Sequence, residues 1–211
     1  VYARNFAAVA TDAIMERPLE RTRRLEVEHV ADKVPQFSFE RLKGADPIVG
    51  VEMRSTGEVA CIGETAEEAY MKALMAVGFP FEVRGVFVDV VSERERFRFI
   101  EAVEALKNDG GVKVYAPEPF WAFLRYHGCA VERLDYPELR DAIMRHDVDV
   151  VIQISRDASE EALEWGYGWR RLAVDLNIPV LTNTKSARLF LSALRLDHEA
   201  LAIQDWSFYC V

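Results

Sequence analysis

Between residues 85 and 205 the chain alternates short, almost wholly apolar runs with segments whose apolar residues recur every third or fourth position. Val86 to Val91 (VFVDVV) is the first such run, and continuous apolarity is what a strand covered on both faces requires. Ser92 and Glu95 stand at capping-box spacing, Phe99, Ile100, Val103 and Leu106 make one helical stripe, and Asp109-Gly110-Gly111 ends it. The same grammar predicts a strand over Val112–Ala116, a helix over Pro119–His127 stopped by Gly128, a strand over Ala130–Arg133 and a helix over Pro137–Arg145. A strand over Asp147–Ile154, a helix over Glu160–Leu176, a strand over Ile178–Thr182 and a helix over Lys185–Leu194 complete the series. Strands that each hand over to a helix pair in parallel. Residues 85–211 are therefore expected to form an α/β domain, a five-stranded parallel sheet with helices on both faces.

Residues 1–84 lack this regularity and are expected to form a small α+β segment. Phe6 to Met15 reads as a helix closed by Pro18, which denies the next turn an N–H. The run Arg21-Thr22-Arg23-Arg24 is offset by Glu20, Glu26 and Glu28 and reads as a solvated linker. Phe37 and Phe39 alternate with polar residues over Val34–Leu42, a strand pattern, and Gly44-Ala45-Asp46-Pro47 is turn chemistry. Glu58 to Ile62 is a second strand. Thr65 and Glu68 then open a helix carrying Ala69, Met71, Ala73, Leu74 and Met75, which stops at Gly78.

A parallel sheet receives ligands beyond the carboxyl ends of its strands, where successive connections diverge to opposite faces. That places the candidate lining at Ser92–Arg96, Ala116–Phe120, Ser155–Asp157 and Asn183–Thr184. Helix N-termini at these points favour anions, and Arg94, Arg96 and Arg156 are placed to add charge-assisted hydrogen bonds. The same arginines also read as exposed helix-terminal residues. With 26 basic and 35 acidic side chains the net charge is -9, which excludes a generalised nucleic-acid surface or an anionic-membrane surface.

No run approaches the roughly 18–20 apolar residues of a membrane span. The opening Val1-Tyr2-Ala3-Arg4 lacks the long apolar region of a secretory signal and an initiator Met, so an internal piece of a longer chain is expected. Cys61, Cys129 and Cys210 are far apart, as are His29, His127, His146 and His198, so neither a disulfide framework nor a metal site is expected. Such sparse thiols fit a reducing intracellular compartment, cytoplasm or mitochondrial matrix.

Three stretches carry a resemblance to a known family. Lys33-Val34-Pro35-Gln36-Phe37-Ser38-Phe39, Gly44-Ala45-Asp46-Pro47-Ile48-Val49-Gly50 and Glu52-Met53-Arg54-Ser55-Thr56-Gly57-Glu58-Val59-Ala60 resemble the end of the second ATP-grasp half of the carbamoyl phosphate synthetase large subunit. Val150-Val151-Ile152, Trp169-Arg170-Arg171-Leu172-Ala173 and Ile178-Pro179-Val180-Leu181-Thr182-Asn183 resemble that subunit's methylglyoxal-synthase-like regulatory domain. Cys61 and the Thr182-Asn183 ending look nearest to the ammonia-using enzymes activated by N-acetylglutamate.

The resemblance implies two parts: a synthetase remnant over 1–84 and an allosteric domain over 85–211. It implies control of ATP-dependent carbamoyl phosphate formation through a small anionic effector, N-acetylglutamate or a nucleotide monophosphate such as uridylate or inosinate. ATP and magnesium would belong to upstream ATP-grasp domains. This chain is expected to hold no cofactor and to be inactive by itself, since it lacks groups to orient ATP phosphates. The effector site carried over comprises Arg96, Ala116, Tyr136, Gln153, Ser155, Arg156, Thr182 and Asn183, with no catalytic residue. Tyr136 stands where the N-acetylglutamate enzymes have Trp, and Gln153 where the family has an asparagine.

One loop departs from the pattern. The family's A-T-x-x-T reads Ala116-Pro117-Glu118-Pro119-Phe120 here, so two hydroxyl donors and a backbone N–H are lost and a negative charge is gained. Two alternatives follow. The domain could be a scaffold or homo-oligomerisation module, with Phe120, Trp121, Phe123 and Tyr126 as an interface. A free-standing methylglyoxal-synthase-like lyase is disfavoured because the phosphate cradle is missing and Asp135 and Asp141 lack the family's Gly-Gly-Asp context.

Overall fold

The structure is a computed structural model in which residues 5–19, 28–50, 52–80, 82–108, 111–155, 160–197 and 201–209 are described. Helix α1 (Phe6–Ile14) is capped by Asn5, whose Oδ1 accepts the Ala8 N–H at 3.0 Å, and it buries none of its residues. Strands β1 (Val30–Gln36) and β2 (Gly57–Gly63) pair antiparallel, from Val30 opposite Gly63 to Gln36 opposite Gly57. The strand expected over Val34–Leu42 is thus displaced toward the N-terminus. Its ladder ends at Gln36 because β2 begins opposite it, and Phe37 and Phe39 then stack on each other at 5.2 Å instead of alternating across a sheet.

Helix α2 (Ala66–Ala76) starts as expected at Thr65, whose Oγ1 accepts the Glu68 N–H at 3.2 Å. The return bond lies one residue earlier than a reciprocal box would place it: the Glu68 carboxylate accepts from the Glu64 N–H at 2.8 Å. Its other oxygen meets Lys72 one turn on, at 2.5 Å. Gly78 follows in the left-handed conformation, φ 97°, where a side chain would be strained.

The expected five-stranded parallel sheet forms from β3 (Gly85–Val90), β4 (Lys113–Ala116), β5 (Glu132–Arg133), β6 (Val150–Ile154) and β7 (Val180–Leu181), in spatial order β5-β4-β3-β6-β7. The interleaved helices are α3 (Glu93–Asn108), α4 (Glu118–Tyr126), α5 (Tyr136–Met144), α6 (Glu160–Asp175) and α7 (Thr184–Ala193). The side-chain period of two divides each strand cleanly. Val86, Val88, Val90, Val114, Ala116, Val150, Ile152 and Ile154 pack with buried residues of α2, α3, α4 and α7. Phe87, Tyr115 and Val151 pack on the other face with α5 and α6. β3 is buried at every position, as its apolar run predicts. The edge strands are shorter than Ala130–Arg133 and Ile178–Thr182, because each has a partner on one side only.

Among the described residues, no helix is long and apolar enough to cross a membrane, and no cluster of His, Cys, Asp and Glu could hold a metal ion. The basic run 21–24 and residues 156–157 lie outside the described residues.

Candidate functional site

The strand order fixes where connections diverge. β3 is flanked by β4 and β6; α3, which leaves β3, covers one face, and α6, which leaves β6, covers the other. The crevice rule therefore points beyond Val90 and Ile154, which are register partners. One step inside that edge, Asp89 and Gln153 are also partners, and both project onto the α5/α6 face. They are 4% and 2% exposed, polar side chains in otherwise apolar strands.

Burial of such groups is tolerated only when every polar atom is matched. Here the matching runs as a directed chain. The Tyr136 hydroxyl, at the start of α5, donates to Asp89 Oδ2 at 2.6 Å. Gln153 Nε2 donates to the Tyr136 hydroxyl oxygen at 2.9 Å, and Arg170 Nη1 of α6 donates to Gln153 Oε1 at 3.1 Å. Arg170 also grips Asp46 of the N-terminal segment with two bonds, Nε to Oδ1 at 2.8 Å and Nη2 to Oδ2 at 2.5 Å. Its side chain is fully buried. Burial pushes the Asp89 carboxyl up from its ordinary value, opposed by the bond from Tyr136. The Tyr136 phenol is pushed up as well, first by burial and then by the Asp89 charge. Trp169 stacks on the Tyr136 ring at 4.7 Å and Phe87 meets it edge-on at 5.3 Å, which walls the chain off from water.

Gly166 makes room for this arrangement. A Cβ there would lie 2.2 Å from Arg170 Nη1 and 2.8 Å from Gln153 Oε1. The neighbouring Arg171 works alongside: its Nη1 donates to the carbonyls of Phe39 at 3.0 Å, Leu42 at 3.2 Å and Ala45 at 3.0 Å, and Asp175 holds its other side at 2.5 Å. Tyr167 adds a bond to the Gly44 carbonyl at 2.8 Å. The loop after β1 is thus clamped onto α6.

The other expected site residues are more dispersed. Ala116 is fully buried at the end of β4, and Pro117 caps α4 without a side-chain bond. The N–H that α4 offers to an anion is already used: Glu118 N donates to Asp135 Oδ1 at 2.9 Å, and Arg133 Nε holds Oδ2 of the same carboxylate at 2.8 Å. That backbone bond is the main reason the Asp135 carboxyl lies below its usual range. Phe120 is fully buried on the opposite face of the sheet, edge-on to Phe99 and stacked on Phe123, so it belongs to the core. Of the proposed aromatic interface only Tyr126 is strongly exposed, at 87%.

Arg96 turns back on β3, with Nε donating to the Val90 carbonyl at 2.8 Å and its guanidinium 6.0 Å from the Phe123 ring centre. Ser155 is half-buried beyond β6. Thr182 and Asn183 stand beyond the edge strand β7, where Asn183 Oδ1 caps α7 by accepting from Lys185 and Ser186 N–H at 2.9 and 3.2 Å. They line a cavity of about 920 Å³ facing β1, with Lys33, Arg54, Tyr70 and Lys185 also on its wall. Arg156 lies outside the described residues. Of the eight expected residues, Tyr136 and Gln153 touch directly.

Asp89, Asp46, Arg170 and Asp135 were missed as site residues. Two of them had a signal, Asp89 as a lone acid in VFVDVV and Arg170 in a paired Trp-Arg-Arg, whereas nothing in the sequence singles out Asp46 or Asp135.

No family model matches the chain. It is 38% identical to the multifunctional protein URA2 of Saccharomyces cerevisiae over 209 residues, 90% of this chain and 9% of that protein. It is 34% identical to the human mitochondrial carbamoyl-phosphate synthase [ammonia] over 178 residues, 80% of this chain and 12% of that one. With the arginine-specific carbamoyl phosphate synthase large chain of Cutaneotrichosporon cutaneum it shares 34% over 209 residues, 92% of this chain and 17% of the relative. The chain thus spans less than a fifth of the length of each of these relatives, and it is a homologue of the carbamoyl phosphate synthases that corresponds to the C-terminal part of their large subunit.

Proposed function

We propose that this chain is the regulatory C-terminal part of a carbamoyl phosphate synthase, with residues 1–84 closing the synthetase portion and residues 85–211 forming a methylglyoxal-synthase-like allosteric domain. A small anionic effector is received beyond the carboxyl ends of β3 and β6, and its arrival alters ATP-dependent carbamoyl phosphate formation in domains that this chain does not contain. The observation that carries the reading is the pair Asp89 and Gln153, polar residues buried in register at the point where the sheet's connections diverge. Burying them costs stability that a purely structural strand would avoid by carrying Val or Ile there. Arg96, at the end of β3, supplies positive charge close by.

The test is a thermal-shift titration with N-acetylglutamate, uridylate, inosinate and phosphate. Saturating a site at a hundred times its Kd stabilises by about 2.7 kcal/mol, which for a chain of this size is a rise of several degrees. A saturable rise with any of the four supports the reading; flat melts with all four at millimolar concentration overturn the effector role.

A second reading is favoured by Asp135. Its carboxylate takes the N–H that α4 would give to an anion, which suits a scaffold that has lost effector binding. Flat melts, together with a dimer on a sizing column, would support it.

A further inference from the structure

The buried polar chain does more than satisfy its own members. Its two ends belong to different parts of the molecule: Asp46 is in the loop after β1, and Asp89 is at the carboxyl end of β3. From the Arg170 end outward the links run in one direction. A guanidinium only donates and an ionised carboxylate only accepts. Arg170 therefore fixes Gln153 with Oε1 toward it and Nε2 toward Tyr136, and that in turn leaves the Tyr136 proton for Asp89. Tyr136, Gln153 and Arg170 cannot rotate their polar groups without breaking at least two bonds. Water cannot substitute, because Arg170, Gln153, Asp89 and Tyr136 are between 0% and 8% exposed. In such surroundings hydrogen bonds polarise one another and act as a unit.

We propose that Asp46, Arg170, Gln153, Tyr136 and Asp89 form a coupling joint. Through it the hydrogen-bonding state of the sheet's carboxyl end sets the order of loop 39–46, and the order of the loop sets the orientation of Tyr136. Tyr136 and Gln153 are positioning residues in this scheme, acting on the loop through Arg170. The loop has two accessible arrangements, docked by Arg170, Arg171 and Tyr167, or released from them. A ligand that takes the Tyr136 hydroxyl or displaces Asp89 would shift the balance. That last clause rests on the effector reading above. The joint itself does not, and its test contains no ligand.

The experiment is hydrogen exchange on the ligand-free chain, followed by mass spectrometry over residues 39–46, where the Arg41, Leu42 and Ala45 N–H groups bond to Ser38, Phe39 and Leu42 carbonyls. Four proteins are compared: the parent, Asp46→Asn, Tyr136→Phe and the double variant. Tyr136→Phe keeps the ring on Trp169 and removes only the hydroxyl. The joint predicts that Tyr136→Phe speeds exchange in the loop about threefold or more, the size of effect expected from losing one buried link. It also predicts that the double variant adds little to Asp46→Asn. Loop exchange unchanged by Tyr136→Phe while Asp46→Asn raises it would overturn the proposal, and so would rate factors that simply multiply in the double variant. Should Tyr136→Phe lose its native melt, Gln153→Met cuts the adjacent link and is read by the same two criteria. The effector titration and this exchange experiment can fail separately: flat melts with a responsive loop leave the joint standing, and a melting shift with an unresponsive loop leaves the effector site standing.

Discussion

Gly166 and Gly168 lie one residue apart in the same helix, and the structure assigns them opposite responses to alanine. Helix propensity alone favours Ala over Gly in a helix interior by about 0.8–1.0 kcal/mol. At Gly168 nothing lies within 4 Å of the added Cβ, so Gly168→Ala should realise that gain. At Gly166 the new Cβ would stand 2.2 Å from Arg170 Nη1. The guanidinium cannot yield by swinging into solvent, because Asp46 holds two of its nitrogens and the side chain is fully buried. Yielding means giving up the 3.1 Å bond to Gln153. A hydrogen bond to a charged group contributes about 1.5–3 kcal/mol, and a buried donor left unmatched adds its own penalty. Subtracting the propensity gain leaves a net loss of about 1–3 kcal/mol. In a chain of this size each kcal/mol moves Tm by about 2–4 °C. Gly166→Ala should therefore lower Tm by about 2–12 °C, whereas Gly168→Ala should raise it by about 2–4 °C. Melts of the two variants followed side by side by circular dichroism make the comparison. If Gly166→Ala melts as high as Gly168→Ala, the close approach of α6 to Arg170 and Gln153 is wrong.

Two further outcomes follow from the clamp and from α2. Arg171→Met removes the one group that joins the Phe39, Leu42 and Ala45 carbonyls, so it should destabilise by about 2–4 kcal/mol and expose the loop. Trypsin cleavage after Arg41 and Lys43 should then outpace that of the parent; equal digestion rates would show that the loop is held by something else. Glu68 is held below its ordinary value of 4.5, chiefly by the hydrogen bond from Lys72. A carboxyl depressed on folding contributes stability that is complete above its unfolded value and is lost as pH falls through its folded value. Glu68→Gln should accordingly flatten the fall in stability below pH 4.5 and change nothing in its slope near neutrality, measured by urea unfolding across pH.

The parallel sheet was legible because each of its strands is a run with one cause, burial on both faces. β3 and β6 appear within a residue or three of their expected limits. The antiparallel pair was less legible, since Phe37 and Phe39 alternate as a strand would and only the position of β2 shows that the ladder stops at Gln36. Candidate site residues were legible as places on the sheet but not as partners. Asp89 and Gln153 could be put at the ends of their strands from sequence, yet their registration depends on β3 lying beside β6, and a linear pattern does not order strands. Arg170 and Asp46 are separated by more than a hundred residues, so nothing local to either announces their pairing. Gly166 came nearest to announcing it. A glycine inside a helix lowers its stability, but Gly168 in the same helix has open space around it, so only the structure tells which of the two marks a close approach.

The electrostatics of the two ends of the crevice decide what kind of ligand the fold can receive. At the N-terminus of α4 the protein supplies its own anion. The Asp135 carboxylate accepts the Glu118 N–H and pairs with Arg133, so an incoming phosphate or carboxylate would have to displace a group tethered in place. A tethered competitor acts at an effective concentration of about millimolar or more, and any external anion's apparent affinity there falls accordingly. Glu118 stands beside it and repels the same ligand. Beyond β3 and β6 the balance differs: the Asp89 charge is answered through Tyr136 and Gln153 by Arg170, and Arg96 lies at the strand's end. For the anionic effector proposed above, this balance favours a seat toward Ser92 and Ser155 over the loop of residues 116–120. Seated there, the effector would compete for the Tyr136 hydroxyl, which is held between the Asp89 carboxylate and the Gln153 amide.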